Sequence, residues 1–400
     1  MTVQQANFRS LVSLVLSNVL GGVGVASGIA VSALVVASMS SDAFAGVGQA
    51  LGVLGAGMIA VPLAGLATRR GRRFALTLGY AIAVAGAGLV LVGAALGWLP
   101  LLLVGLVAFG AAQATNLQTR YAASELVEPE KRGVTMSVVL WATTIGSVAG
   151  PNLSALGGSL GERVGLPTLA GPYLFSVLAF CLALLSVSLL FQAHVRGTDD
   201  AGCAKAAVSA RSALAWAARH PVARFAVTLL VAAHATMVAI MSMTPLHLGH
   251  HGRGLEVIGL VISLHILGMY ALSPVFGWLA DKLGPMKVAC GGLLLIAIAA
   301  AMAFTSGGNL GLVTASLTVL GLGWSASVIS ASVLLANVDS GDVRVPLQGA
   351  TDALMSYGGA AAAVLSGILF AAVGFGWLAL IASVLILPAA ATGWLASRAR

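Results

Sequence analysis

Gly277-Trp-Leu-Ala-Asp281-Lys-Leu-Gly284-Pro-Met-Lys287 follows one long apolar run, and Ala64-Gly-Leu-Ala-Thr68-Arg-Arg-Gly71-Arg-Arg73 follows another much earlier in the chain. Both segments place Leu-Ala, then Thr or Asp, then a basic residue, then Gly two positions on, in the same register. Each also comes after the second apolar run of its half. A short polar loop repeated at one place in two halves indicates a parallel duplication, and such membrane proteins bind their substrate near the bilayer midplane where the repeats meet.

Working outward from these loops, windows of about 20 apolar residues predict twelve spans. In the first half they are 9–37, 45–67, 74–96, 99–121, 134–157 and 171–193. In the second they are 221–245, 256–280, 288–306, 310–336, 347–371 and 375–396. The fold class is therefore an all-α membrane protein of twelve transmembrane helices in two six-helix halves, 1–193 and 221–400, joined by a polar linker, 194–220. The linker carries Asp199-Asp200 and a weakly amphipathic run, Lys205 to Arg219.

Composition agrees. Hydrophobic residues make up 59% and charged residues 8%, with a mean hydropathy of +1.02, whereas about a quarter of the residues of a soluble domain are charged. The 50 glycines suit close helix contacts in a bilayer. The apolar run from Leu11 lacks a small-residue cleavage site and reads as a first span rather than a signal peptide.

The net charge of +8 does not indicate nucleic acid, because the basic residues sit in short loops on one side. Arg69, Arg70, Arg72, Arg73, Lys131, Arg132, Arg196, Lys205, Arg211, Arg219, Lys282, Lys287, Arg344, Arg398 and Arg400 share that side, against Arg163 and Arg253 on the other. Both termini and the linker are then cytoplasmic. Cys181, Cys203 and Cys290 show no paired spacing; Cys203 and Cys290 fall on the cytoplasmic side. A nucleotide-binding glycine loop and a Ser/His/Asp arrangement are both missing, so neither a pump driven by ATP nor an enzyme is expected, and no cofactor.

The two loops resemble the signature of the major facilitator superfamily, Gly-x-Leu-Ala-Asp-Arg-x-Gly-Arg-Arg, and the resemblance covers essentially the whole chain. The first copy departs from it at Ala64 and Thr68, so the acid of that loop's gating contacts is missing there; Asp281 keeps it in the second. Gly146-Ser-Val-Ala-Gly150-Pro151 is similar to the superfamily's span-5 motif, which is common in proton-coupled exporters. Two glycines one turn apart permit close helix contact, and Pro151 removes a backbone donor.

Soft-ligand chemistry is concentrated in spans 7 and 8. Met237 and Met241 are four apart, as are His265 and Met269, so each pair falls on one helical face. Thioether sulfur and imidazole nitrogen suit Cu(I), while harder ions want oxygen. Taking Pro245 and Glu256 as outer ends, a rise of 1.5 Å per residue puts Met241 about 6 Å deep, Met237 about 12 Å, His265 about 14 Å and Met269 about 20 Å. His234 lies on the same face as Met237, and Met243, His247, His250 and His251 surround the outer loop as a collecting vestibule.

Each of these residues also has a plainer reading. Methionines at helical spacing pack apolar spans, buried histidines hydrogen-bond neighbouring helices, and loop histidines are solvated. An ionisable group within a span is costly, about 2.5–3.5 kcal/mol for a central charge on insertion scales, which favours a role for His265.

Met-x-x-x-Met in span 7 followed by His-x-x-x-Met in span 8 resembles the CcoA-like copper importers of the superfamily. The resemblance implies metal binding at Met237, Met241, His265 and Met269 and copper uptake across the bacterial cytoplasmic (inner) membrane for assembly of cbb3-type cytochrome oxidase. Copper is then substrate rather than cofactor. The implied partners are the copper ion, the lipid bilayer and copper chaperones of the cytoplasm or periplasm, for a monomeric chain.

Other polar residues fall within spans: Gln113, Asn116, Gln118 and Arg120 in span 4, and Gln348, Thr351 and Asp352 in span 11. Arg120 reads as snorkelling to the interface, and Asp352 as a gate or helix-end cap, with proton coupling as the alternative. Asp281 joins them as a gating residue. Trp141, Asn152, Trp324 and Tyr357 line a cavity or pack. Two rival functions stay open beside copper import: a proton-coupled exporter of small organic compounds or drugs, and a copper sensor or assembly scaffold without flux.

Overall fold

A bilayer offers no partner to a bare N–H or C=O, so apolar stretches of this length must close their hydrogen bonds within helices. The computed structural model describes residues 3–40, 45–192, 208–253, 255–339 and 341–398, and among them there are helices and no strands. The helices are α1 (Val3–Met39), α2 (Ala45–Ala95), α3 (Leu99–Phe109), α4 (Ala111–Ser124), α5 (Arg132–Asn152), α6 (Ser154–Arg163), α7 (Pro172–Leu190), α8 (Ala210–Arg219), α9 (Pro221–His250), α10 (Leu255–Tyr270), α11 (Ser273–Leu283), α12 (Pro285–Thr305), α13 (Leu310–Ala336), α14 (Gly341–Ser383) and α15 (Leu387–Arg398).

Ten stretches among the described residues are long and apolar enough to cross a membrane. Two of these, of 46 and 58 residues, would be about 69 and 87 Å long as straight helices, against a hydrocarbon core of about 30 Å. Neither is straight. Each holds two of the spans read from the sequence, with a positive-φ glycine between them, Gly71 (φ 84°, ψ 161°) and Gly374 (φ 78°, ψ 176°).

The two repeated loops share a backbone conformation at one glycine. Gly71 of the first loop and Gly284 of its repeat both take positive φ with extended ψ, 84°/161° and 91°/142°. A side chain strongly disfavours that conformation, so one backbone turn accounts for one sequence position in both copies. Gly97 and Gly307, and Gly165 and Gly374, are further positive-φ pairs in corresponding turns of the two halves.

The chain forms two compact units. One comprises Met1–Glu128, Ala142–Ala213 and Gly341–Ala353; the other comprises Pro129–Trp141, Leu214–Ser340 and Leu354–Arg400. The first is centred on Val90, Leu102, Leu106, Phe109, Tyr173 and Phe180, with Phe109 edge-on to Tyr173 at 5.5 Å. It also contains the span-5 glycines. A Cβ at Gly146 would stand 2.5 Å from the backbone of Gly22, and one at Gly150 would stand 2.7 Å from the amide of Ser27. These positions let α5 meet α1 backbone to backbone.

In the second unit α13 packs against α9, α10, α11 and α12 and is buried along most of its length. Spans 4 and 8 are each interrupted: α3 gives way to α4 at Gly110, and α10 to α11 at Ala271–Leu272. Pro274 explains the second break, since it cannot donate to the carbonyl one turn before it. The linker 194–220 lies largely outside the described residues, and Cys203 with it. Its end forms α8, where Ala213 and Ala217 are buried one turn apart and Arg211 and Arg219 are exposed.

Candidate functional site

The second unit holds the soft-ligand residues. His265 of α10 is wholly buried, and its Nδ1 lies 2.7 Å from the carbonyl oxygen of Leu317 on α13. A carbonyl only accepts, so Nδ1 carries the proton and Nε2 bears the lone pair. That Nε2 is buried without a hydrogen-bond partner among the described residues. Met269 follows one turn later, 7% exposed.

Glycine brings these two helices close. A Cβ at Gly321 would stand 2.5 Å from the His265 carbonyl and 2.9 Å from the Met269 amide, and one at Gly268 would stand 2.6 Å from the Thr318 carbonyl. The imidazole is thereby set by α13 as much as by its own helix. Met237 is 3% exposed and Met241 partly buried; both belong to α9, which also packs against α13.

His234 is engaged differently. The Trp324 indole N–H donates to its Nδ1 at 3.1 Å, which uses the lone pair that a metal would need at that atom. Trp324, 3% exposed, also meets Tyr270 edge-on at 5.6 Å. These three rings tie α9, α13 and α10 together, so Trp324 is a packing and hydrogen-bonding residue.

At the end of α9, the His247 ring stacks on Phe375, centroids 4.3 Å apart and planes 13° apart. Its Nε2 lies 2.9 Å from the Gly307 carbonyl. The His251 ring stands 4.5 Å from that of His247, with its Nδ1 2.9 Å from the His247 carbonyl. His250 faces Phe370 at 5.7 Å instead, and Met243 is partly buried one turn before His247. Among the described residues no three side chains drawn from His, Cys, Asp and Glu gather to hold a metal ion, so any soft-metal site here depends on methionine sulfur or on paired imidazoles.

The first unit carries the charges. Arg120 and Asp352 are 0% and 1% exposed and pair at 2.5 Å, which corrects the snorkelling reading of Arg120. Its guanidinium also lies over the Tyr121 ring, 4.7 Å from the centroid. Asp352 is far away in sequence but arrives with the first turns of α14, residues 341–353, which belong to this unit. Sequence alone does not join the two, because a pairing across 232 positions leaves no local signal.

Arg72 was legible only as one basic loop residue. It is 6% exposed and donates to Glu125 at 2.9 Å, to Gln118 at 2.9 Å and to Gln348 at 2.8 Å. Glu125 thus supplies in space the acid that Thr68 does not supply in sequence. Thr68 itself donates to the nearby Gly65 carbonyl. In the second copy Asp281 accepts from the amides of Gly133 at 2.7 Å and Val134 at 2.8 Å, capping the start of α5, where free N–H groups and the helix dipole favour a carboxylate.

Gln113 lines a recess of the first unit with Val25, Leu106, Phe109 and Tyr173; Trp141 and Tyr357 are each 40% exposed. Cys181 and Cys290 are free thiols, Cys290 exposed.

The geometry agrees with what the chain resembles. The model of the Major Facilitator Superfamily matches residues 225–400. An uncharacterized MFS-type transporter of Bacillus subtilis, YdeG, is 36% identical over 95% of this chain and 90% of its own length. The riboflavin transporter RfnT of Brucella anthropi is 26% identical over 89% of this chain and 87% of its own. In fold, the Escherichia coli fucose:proton symporter FucP superposes with a TM-score of 0.76 at 16% identity, covering 98% of this chain and 99% of that one. An all-helical, multi-pass chain with a duplicated loop and relatives of this kind is a secondary transporter, not an enzyme, and it belongs to the major facilitator superfamily.

Proposed function

We propose that the chain imports copper, carried as Cu(I), across the bacterial cytoplasmic membrane by alternating access, supplying assembly of cbb3-type cytochrome oxidase. In this reading it crosses the membrane twelve times with both termini in the cytoplasm. Met237, Met241, His265 and Met269 pass the ion along, and Arg120, Asp352 and Asp281 serve the gates.

The observation that carries the reading is the state of His265. A metal-ligating histidine characteristically donates its other ring N–H to a carbonyl or carboxylate, which fixes tautomer and orientation. His265 has that outer partner in Leu317 and leaves its second nitrogen buried and unsatisfied, a costly arrangement that calls for an ion or water. Thioethers bind Cu(I) without losing a proton, and weak stepwise sites let an ion leave again. Replacing Met241, His265 or Met269 by Ala should abolish accumulation of radioactive copper by cells while membrane levels of the protein stay normal. Unchanged accumulation in all three variants rejects the reading.

A second reading is transport of a small organic compound, in the exporter sense suggested by the span-5 motif. The relative named for riboflavin favours it, together with the Trp324–His234–Tyr270 ring cluster. It predicts proton-dependent flux of an organic solute that survives those three substitutions.

A further inference from the structure

The histidines at the end of α9 are not equivalent. His247 spends Nε2 on the Gly307 carbonyl, so its proton sits there and Nδ1 keeps a lone pair. His251 spends Nδ1 on the His247 carbonyl, so Nε2 keeps one. The two rings stand 4.5 Å apart, 61° between planes. Metal–imidazole bonds are about 2.0–2.1 Å long, so an ion shared by two rings at this separation would be held at a bent angle of roughly 90° and not in line.

Three further facts fit a ligand pair. Spacing of four puts both side chains on one helical face, the arrangement that metal-binding helices use for paired histidines. Each ring has the outer carbonyl that a ligating imidazole characteristically has. His247 is also clamped flat on Phe375, while His251 is exposed with its Cδ2–Nε2 edge toward Gly308, where a Cβ would stand 3.1 Å from Nε2. His250 has no share in this: it turns to Phe370.

We propose that Nδ1 of His247 and Nε2 of His251 form a second, outlying site for a soft cation, which captures the ion before it reaches the buried His265. The identity of the cargo as copper rests on the function proposed above; the pairing of the nitrogens does not. Two imidazoles at this separation supply a soft cation with two of its donors in a bent arrangement, leave room for a further ligand from solvent, and make a site that is weak for ions that need oxygen shells.

The test is Cu(I) titration of the purified full chain in detergent, without oxygen, against a chromophoric Cu(I) chelator. His251→Ala should lose one equivalent of bound copper, or weaken it by at least the roughly 10–100-fold that loss of an outer partner alone costs, while His250→Ala binds as the wild type does. His247→Gln keeps an amide able to donate to the Gly307 carbonyl but has no imidazole. If it too loses that equivalent, His247 is a ligand; if it binds like wild type, the site is overturned. An equal loss in His250→Ala also overturns it. In uptake by cells, His251→Ala should raise the half-saturating copper concentration with the maximal rate kept, the pattern of lost ground-state capture; an unchanged half-saturation contradicts capture. His265→Ala should remove a different equivalent. If that variant binds as wild type while His251→Ala does not, the transport reading fails and this site stands.

Discussion

The Nδ1 of His265 and the carbonyl of Leu317 lie 2.7 Å apart, and this one contact decides which imidazole nitrogen is left to act. His265→Gln removes that nitrogen and leaves an amide near the Leu317 carbonyl. Copper binding at the buried site should fall by at least the roughly 10–100-fold that loss of an outer-shell partner alone costs. Equilibrium titration of the detergent-solubilised variant measures it; retention of wild-type affinity removes His265 from the site.

Gly321 holds the same contact from behind. A methyl group there would stand 2.5 Å from the His265 carbonyl, so Gly321→Ala must push α10 away from α13. Over-packing of this kind costs about 1–3 kcal/mol. The thermal midpoint should fall and copper uptake with it, although no ligand has been touched. An unchanged midpoint would show that the two helices are looser than the structure has them.

Arg120 and Asp352 are a buried pair, and breaking such a pair by removing one partner costs about 3–5 kcal/mol, whereas replacing both with apolar residues is often neutral. Arg120→Leu and Asp352→Leu should each lower the thermal midpoint strongly, and the double variant should recover much of the loss. A double-mutant cycle reads the coupling directly; additive losses would mean that the two charges do not support each other.

Gly71 and Gly284 offer a test of the duplication. Nothing lies within reach of a Cβ at either position, so Gly71→Ala and Gly284→Ala introduce no clash and cost only the positive φ with extended ψ, about 1–3 kcal/mol. Similar drops in thermal midpoint are predicted. A loss at only one of them would show that the loops do not share a backbone.

Much of this architecture was legible in the chain. The repeated loops declared the duplication because turns need glycine and the flanking basic residues need a polar side, both of which are local requirements. The span-5 glycines announced a close helix contact, though not that α1 would be the partner. What stayed hidden was tertiary choice. Arg120 read as an interfacial side chain because its acid stands on α14, and Thr68 read as a lost charge because Glu125 replaces it from the end of α4. Spacing alone groups His234 with the soft ligands, whereas the Trp324 N–H occupies its Nδ1. Spacing on one helix states which residues share a face; it is silent on which neighbour reaches that face first.

Copper flux into proteoliposomes holding the purified chain alone tests the central claim most directly. Saturable entry of radioactive copper above that of empty vesicles is predicted, lost in His265→Gln and Met269→Ala proteins that insert to the same level. Entry no faster than in empty vesicles, or entry that both substitutions leave intact, would contradict it.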